Sequence, residues 1–235
     1  MKTPRSLIIR NTCPDDVDNA VAVEKQAWCP PWQQDCVFDN RHIESQLRFF
    51  PEGQFCAELN GEFAGFVTTM CTEYDVSNPR QVTWAEMCAD GFITNHLSYG
   101  KTIFGVNASV SPKFARMGVS DMLLDRVGVM CIERGLQQII LGSRIPSYSK
   151  HSDEMSAVEY VYAKGKGGKP IDPELRLYTS HSLKIVTVVP DYIPDPESLN
   201  YGVLVVWKNP LWQFRWMPGL NRFAAKIMAK RGFKS

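Results

Sequence analysis

A predicted strand that leads through a short glycine-containing loop into an amphipathic helix constrains this chain more than any other feature; it lies between residues 103 and 124. Alternating apolar residues indicate the strand, and Pro112 ends it. Apolar residues then recur at helical spacing: Val119, Met122, Leu123, Val127, Met130 and Cys131. The first N–H groups of a helix lack intrahelical partners and carry partial positive charge, and Gly118 lets a ligand come close. The pattern therefore predicts an anion site that can hold a pyrophosphate through the main chain.

The same residues resemble the central motif of the GNAT superfamily of acyl-CoA-dependent N-acetyltransferases. That motif is a strand ending in Val-x-Pro, followed by Arg/Gln-x-x-Gly-x-Gly/Ala and a run of leucines, and Val110 and Pro112 match it. Ala115 replaces the usual Arg or Gln and Ser120 replaces the last small residue, although Arg116 offers a positive charge one place along. The resemblance implies that acetyl-CoA or another acyl-CoA binds at Ala108, Val110, Ala115, Arg116, Met117, Gly118, Val119 and Ser120.

A second motif of the family, Leu-Tyr-x-x-x-Gly-Phe, corresponds to residues 177–183, where Ser182 and Leu183 replace the Gly-Phe pair. The resemblance implies that Tyr178 protonates the departing CoA thiolate, and a packed tyrosine on an amphipathic helix is the alternative. The block from residue 141 to residue 210 resembles a branch whose GNAT domains are fused to carbon–nitrogen hydrolases or load acyl groups in polyketide synthases. Malonyl-decarboxylating relatives carry His at the position of Tyr178 and Arg at that of Ile193, so the sequence favours amine acetylation.

The resemblance implies a mixed α/β fold with a mostly antiparallel, twisted sheet flanked by helices. In that fold the predicted strands at 103–110 and 138–141 splay apart, and the pantetheine arm of CoA lies in the gap. A backbone N–H near Ala108 would then stabilise the tetrahedral oxyanion. Independently, the Asn60-Gly61 pair between two strand-like segments predicts a hairpin. We expect residues 1–210 to form the acyltransferase domain and residues 211–235 a C-terminal extension.

Acceptor-binding residues are predicted on two segments. Trp32 belongs to a Trp/Pro segment where GNAT folds line the acceptor pocket, and Arg144 and Tyr148 directly follow the second splayed strand. Aromatic rings and an arginine at such positions suit an acceptor that carries a carboxylate, and packing of loops under the tryptophans is the alternative. No general base is identified, and the carboxylates considered are Glu73 and Glu86.

Composition narrows the class of protein. With 235 residues, 44% of them apolar, and a net charge of +1, the chain can bury a substantial core and has no overall charge suited to nucleic acid. It shows no signal-peptide pattern and no apolar run that could span a membrane, so we expect a cytoplasmic protein. Seven cysteines without a Cys-x-x-Cys pair predict no disulfide framework, and four histidines without metal-ligand spacing predict no metal site.

The C-terminal segment is unusual because residues 210–235 contain six Lys/Arg residues and no acidic residue. Apolar residues recur there at helical spacing beside a separate basic ridge, which predicts a basic amphipathic helix. Its apolar members are Leu220, Phe223, Ala224, Ile227 and Met228. The helix has three candidate roles: peripheral binding to an anionic membrane, docking of an acidic acyl-carrier protein, or covering its own domain.

The sequence thus predicts an enzyme that transfers an acyl group, most simply acetyl from acetyl-CoA, to a small-molecule primary amine. Alternatives within enzymes are acyl transfer from an acyl-carrier protein and malonyl-type decarboxylation. A non-enzymatic alternative also stays open, namely that the chain is a non-catalytic CoA-binding partner of a hydrolase. It rests on three positions that differ from the family motifs: Ala115, Ser120 and Ser182.

Overall fold

The computed structural model describes residues 6–30, 32 and 37–231. Seven strands are present: β1 (Leu7–Asn11), β2 (Phe55–Leu59), β3 (Glu62–Thr72), β4 (Thr102–Val110), β5 (Gln138–Arg144), β6 (Lys184–Val189) and β7 (Gly202–Lys208). The α-helices of the described chain are α1 (Val17–Trp28), α2 (Asn40–Phe49), α3 (Trp84–Cys88), α4 (Val119–Glu133), α5 (Ala157–Tyr162), α6 (Pro173–Ser180) and α7 (Pro218–Arg231).

All seven strands form one sheet in the order β1-β2-β3-β4-β5-β7-β6. Every neighbouring pair is antiparallel except β4 and β5, which are parallel, so the predicted mixed fold with a mostly antiparallel sheet is confirmed. Residues 64–71 of β3 are buried without interruption. Because successive strand residues point to opposite faces, helices must cover both sides of the sheet there. Helices α1 and α4 both pack against β3 and β4.

The sheet opens between its two parallel strands. Strands β4 and β5 pair from Thr102 and Gln138 to Gly105 and Leu141, and beyond that point β4 stays with β3 while β5 stays with β7. A Cβ at Gly105, in the last pair, would lie 2.1 Å from Leu141 Cδ2, so any other residue there would force the Leu141 side chain to shift. The predicted splay therefore begins at the residue after Gly105.

Helix α7 packs against α4. Ala225 is fully buried in this contact, and Ala224 and Met228 also pack against the core. The buried face is centred on Asn221 and Ala225, whereas Phe223 of the predicted apolar ridge is 63% exposed. The packing supports the third role predicted for this segment, covering its own domain. No helix in the described ranges is long and apolar enough to cross a membrane.

We expect Ala225→Leu to destabilise the protein, because three extra carbon atoms must enter a site with no exposed surface. Overpacking of this kind costs about 1–3 kcal/mol, and each kcal/mol lowers Tm by about 2–4 °C in a chain of this size. Thermal unfolding measures the effect. Phe223→Leu, on the exposed side of the same helix, is the matched control and should leave Tm nearly unchanged. Equal Tm values for both variants would show that α7 does not depend on its contact with α4.

Candidate active site

The loop before α4 leaves the start of the helix open. One 3₁₀ turn spans Pro112–Phe114, and Arg116 and Gly118 then adopt positive φ values of 61° and 86°. Apart from Gly118 and its two chain neighbours, no atom of the described residues lies within 4 Å of the position that a Cβ on Gly118 would occupy. Ala115, Arg116 and Met117 are exposed and Ser120 is half-buried, while Val119 is buried and anchors the helix to the core. The free N–H groups of α4 are thus accessible to an anion.

The β4 edge beside the gap is also available to a ligand. From Val106 onward β4 has no pairing with β5, and its register with β3 shifts between Thr68 and Thr69. Ala108 is exposed and Val110 is half-buried. An extended chain with amide groups can therefore add to this edge as a strand does.

A cavity of about 540 Å³ occupies the gap and extends to both sides of it. Most of its lining is apolar or aromatic, with contributions from α1, β3, α3, β4, α4, β5 and α6. The sequence-predicted residues Ala108, Trp32, Arg144 and Tyr178 line it. Its polar side chains include Glu24, Asn107, Arg144, Glu174, Tyr178 and Tyr192.

Glu24 on α1 is the most chemically distinctive residue of this cavity. Its Oε2 accepts hydrogen bonds from Asn107 Nδ2 at 2.7 Å and from Ser109 Oγ at 2.5 Å, and Ser109 in turn accepts one from Trp28 Nε1 at 2.7 Å. Burial raises the pKa of Glu24 to about 7, against the opposing effect of these hydrogen bonds. A carboxyl group that titrates near neutral pH is suited to accept a proton during a reaction.

Glu24 is not among the residues predicted from the sequence, although its position in α1 carries a signal. Val17, Ala20, Val21 and Glu24 form the buried stripe of α1, and a glutamate in such a stripe needs a polar partner or a function. Glu73 and Glu86, the two carboxylates considered from the sequence as a general base, are not among the described residues that line the cavity. Glu73 accepts a hydrogen bond from the Lys101 N–H, and Glu86 caps α3 by binding Thr83.

Helix α6 places two ionisable groups on the cavity. Asp172 caps the helix and Pro173 occupies its first position, so Glu174 and Tyr178 follow one turn apart on the same face. Burial raises the pKa of Glu174 to about 7, although Arg144 opposes the shift. Burial and the charge of Glu174 together raise the pKa of Tyr178 above its usual range, so its hydroxyl stays protonated.

Arg144 was predicted to bind a carboxylate of the acceptor, and the structure instead shows its charge already neutralised. Its guanidinium binds both oxygens of Asp195 at 2.8 and 2.9 Å and Glu197 at 2.8 Å, with only 12% of the side chain exposed. It also lies over the ring of Trp32 at 4.7 Å and that of Trp28 at 5.4 Å. Arg144 therefore holds the aromatic wall of the cavity in place.

The other two predicted acceptor residues have different positions. Trp32 lines the cavity, and its Nε1 donates to the Pro194 carbonyl at 3.0 Å. Tyr148 is buried between Tyr160 and Tyr201 and is not among the described residues that line the cavity, so the structure does not bring it together with Trp32 and Arg144 there. Among the described residues no cluster of His, Cys, Asp and Glu could hold a metal ion, and no disulfide joins the described cysteines.

Comparison with curated proteins gives two related chains from Bacillus subtilis (strain 168). The uncharacterized N-acetyltransferase YkwB is 33% identical over 208 residues, which cover 88% of this chain and 91% of YkwB. The probable hydrolase YhcX is also 33% identical over 208 residues, covering 87% of this chain but only 39% of YhcX. No protein-family model matches the chain.

Solved structures show the same architecture. The loading GNATL domain of CurA from Lyngbya majuscula superposes with a TM-score of 0.75 at 24% identity, covering 87% of this chain and 98% of that domain. The GphF GNAT-like decarboxylase, solved in complex with isobutyryl-CoA, superposes with a TM-score of 0.72 at 20% identity, covering 86% of this chain and 99% of that one. Together with the identity to YkwB along nearly its whole length, the splayed sheet and the open helix start lead to one conclusion: this chain belongs to the GNAT superfamily of acyltransferases.

Proposed function

We propose that this protein transfers an acyl group, most simply acetyl, from an acyl-CoA to a primary amine. One observation carries the proposal: Glu24, a buried carboxyl group with a pKa of about 7, lies in the same cavity as Tyr178 and beside the open edge of β4. The first can accept a proton from an attacking amine and the second can donate one to a departing thiolate.

The donor would bind where the fold leaves backbone groups unpaired. GphF, a neighbour in fold, is solved with isobutyryl-CoA, which supports an acyl-CoA as the donor here. The accessible start of α4 suits its pyrophosphate, and the free edge of β4 at Ala108 suits its pantetheine amides. Ala115 and Ser120 remove side-chain contacts of the family motif but leave these main-chain donors in place.

Glu24 would act as the general base. An amine is protonated near neutral pH and must lose a proton before or during attack on the thioester carbon. Glu24 is about half ionised near pH 7, and Asn107 and Ser109 hold its accepting oxygen in place. A pKa near neutral pH would let the residue take up and release a proton in each cycle.

Tyr178 would act in the step in which the CoA thiolate departs. When the carbon–sulfur bond breaks, the thiolate of CoA needs a hydrogen-bond donor or a proton. Burial raises the pKa of Tyr178 above its usual value, so its phenol is protonated at neutral pH. The hydroxyl is therefore available as donor throughout the cycle.

Malonyl decarboxylation is the second candidate function, because GphF is described as a GNAT-like decarboxylase. Two residues of this chain disfavour decarboxylation. Positions 178 and 193 carry Tyr and Ile, and the family resemblance assigns His and Arg to the decarboxylating relatives. Transfer from an acyl-carrier protein uses the same cavity and differs only in the carrier of the thioester.

The test is release of free CoA from acetyl-CoA in the presence of a panel of primary amines. Because the base must be ionised, kcat/KM should rise as pH passes through about 7 and then level off. Glu24→Gln should lower kcat/KM by about 10²-fold or more and remove this step. Glu174→Gln is the matched control, since Glu174 has a similar pKa, and it should keep the step. A wild-type rate in Glu24→Gln, or CO₂ release from malonyl-CoA without any acyl transfer, would contradict the proposal.

We expect Tyr178→Phe to reduce turnover and to leave the affinity for acyl-CoA nearly unchanged, because only the proton donor is lost. Removal of a general acid typically costs on the order of 10²–10⁴ in rate. Steady-state kinetics combined with calorimetry of CoA binding separates the two effects. Unchanged turnover between about pH 6 and about pH 10 would reduce Tyr178 to a packing role.

A further inference from the structure

Tyr192 lies over two glycines of the sheet, in the segment between β6 and β7. A Cβ on Gly142 would lie 1.7 Å from the Tyr192 hydroxyl oxygen, and a Cβ on Gly202 would lie 2.2 Å from its Cδ1. Any side chain at either position would therefore displace the ring. Because neither glycine has a side chain, the Tyr192 ring can pack directly on the backbone of β5 and β7.

Two hydrogen bonds also hold the main chain of Tyr192 in place. Its carbonyl accepts the Trp84 N–H at 2.8 Å, and its own N–H donates to the Asn200 carbonyl at 2.8 Å. The Trp84 indole then donates to the Val106 carbonyl at 2.9 Å. Val106 and Gly142 are the first residues beyond the last paired residues of β4 and β5. The Tyr192 hydroxyl is thus held at the apex of the gap, where the two strands begin to separate.

The hydroxyl itself has no hydrogen-bond partner among the described residues, although Tyr192 is only 2% exposed and lines the cavity. Buried tyrosine hydroxyls are normally hydrogen-bonded, because an unsatisfied polar group loses its interactions with water without replacement. The neighbouring Tyr74 shows the ordinary arrangement, since its hydroxyl donates to the Arg80 carbonyl at 3.0 Å. Burial holds the pKa of Tyr192 well above its usual value, so the group is a permanent donor.

We propose that Tyr192 determines acyl-donor recognition: its hydroxyl donates a hydrogen bond to a neutral oxygen of the acyl group bound at the apex of the gap. The inference rests on the proposed acyl-CoA donor. The oxygen is either that of the thioester carbonyl or one carried on the acyl chain. A chain carboxylate is disfavoured, because Arg144, the one Lys or Arg among the described lining residues, is already paired and Ile193 is apolar.

The experiment compares Tyr192→Phe with wild type, using acetyl-CoA, butyryl-CoA and 3-hydroxybutyryl-CoA in calorimetry and in the CoA-release assay. Tyr74→Phe is the matched control, a nearby buried hydroxyl outside the cavity that is already bonded within the protein. Without ligand, Tyr192→Phe should keep or raise Tm, because no internal hydrogen bond is lost. Tyr74→Phe should lower Tm by about 2–4 °C and bind the donors as wild type does.

With a thioester carbonyl as partner, Tyr192→Phe should lose about tenfold in kcat/KM with all three donors. With an oxygen on the chain as partner, the loss should be confined to 3-hydroxybutyryl-CoA, whose preference over butyryl-CoA should fall about tenfold. Equal binding and rates of wild type and Tyr192→Phe with all three donors would overturn the proposal. If no donor bound to the wild type, the proposed function would fail first and this inference with it.

Discussion

The separation of β4 from β5 is the constraint on which the rest of the site depends. Beside the gap, β4 pairs with β3 through one register shift between Thr68 and Thr69, and β5 pairs with β7 without a shift, so each strand is held by its outer neighbour. The parallel pairing that ends at Gly105 and Leu141 fixes where the opening begins. A bound chain can therefore enter between the strands without breaking any hydrogen bond of the sheet.

Two carboxyl groups with a raised pKa line the cavity, the buried Glu24 and the half-buried Glu174, and their surroundings differ. Glu24 faces neutral donors, Asn107 and Ser109, which favour its ionised form, while burial favours its protonated form. Glu174 lies 3.8 Å from Arg144, whose charge is shared with Asp195. Glu174 thus belongs to an ion-pair network that supports the aromatic wall, whereas Glu24 has neutral hydrogen-bond partners, which suits the proton acceptor that we propose.

Local sequence pattern was sufficient for much of the fold. Alternation and helical spacing located β4 and α4, and the Asn60-Gly61 turn between β2 and β3 adopts the positive φ values that its residues favour. The position of Tyr178 on the cavity also agrees with its motif. In each case the deciding interactions lie within about one helical turn or one hairpin.

Features that depend on contacts between residues far apart in the sequence could not be predicted from local pattern. Arg144 meets Asp195 across 51 residues, so nothing near it in sequence showed that its charge was already paired. Glu24 meets Ser109 across 85 residues, and only the folded chain shows what a glutamate does in a buried stripe. The buried face of α7, which packs against α4, likewise differs from the predicted apolar ridge, because Asn221 and Ala225 are buried and Phe223 is exposed.

Titration calorimetry with acetyl-CoA tests the central claim most directly, namely that the gap and the start of α4 bind one acyl-CoA. The account predicts saturable binding of one molecule per chain, accompanied by a rise in Tm with occupancy. It also predicts that Gly118→Val weakens binding by about tenfold or more, because the new side chain occupies the open space beside the helix start. Absence of heat and of any Tm shift at saturating acetyl-CoA, or equal affinity in Gly118→Val, would contradict it.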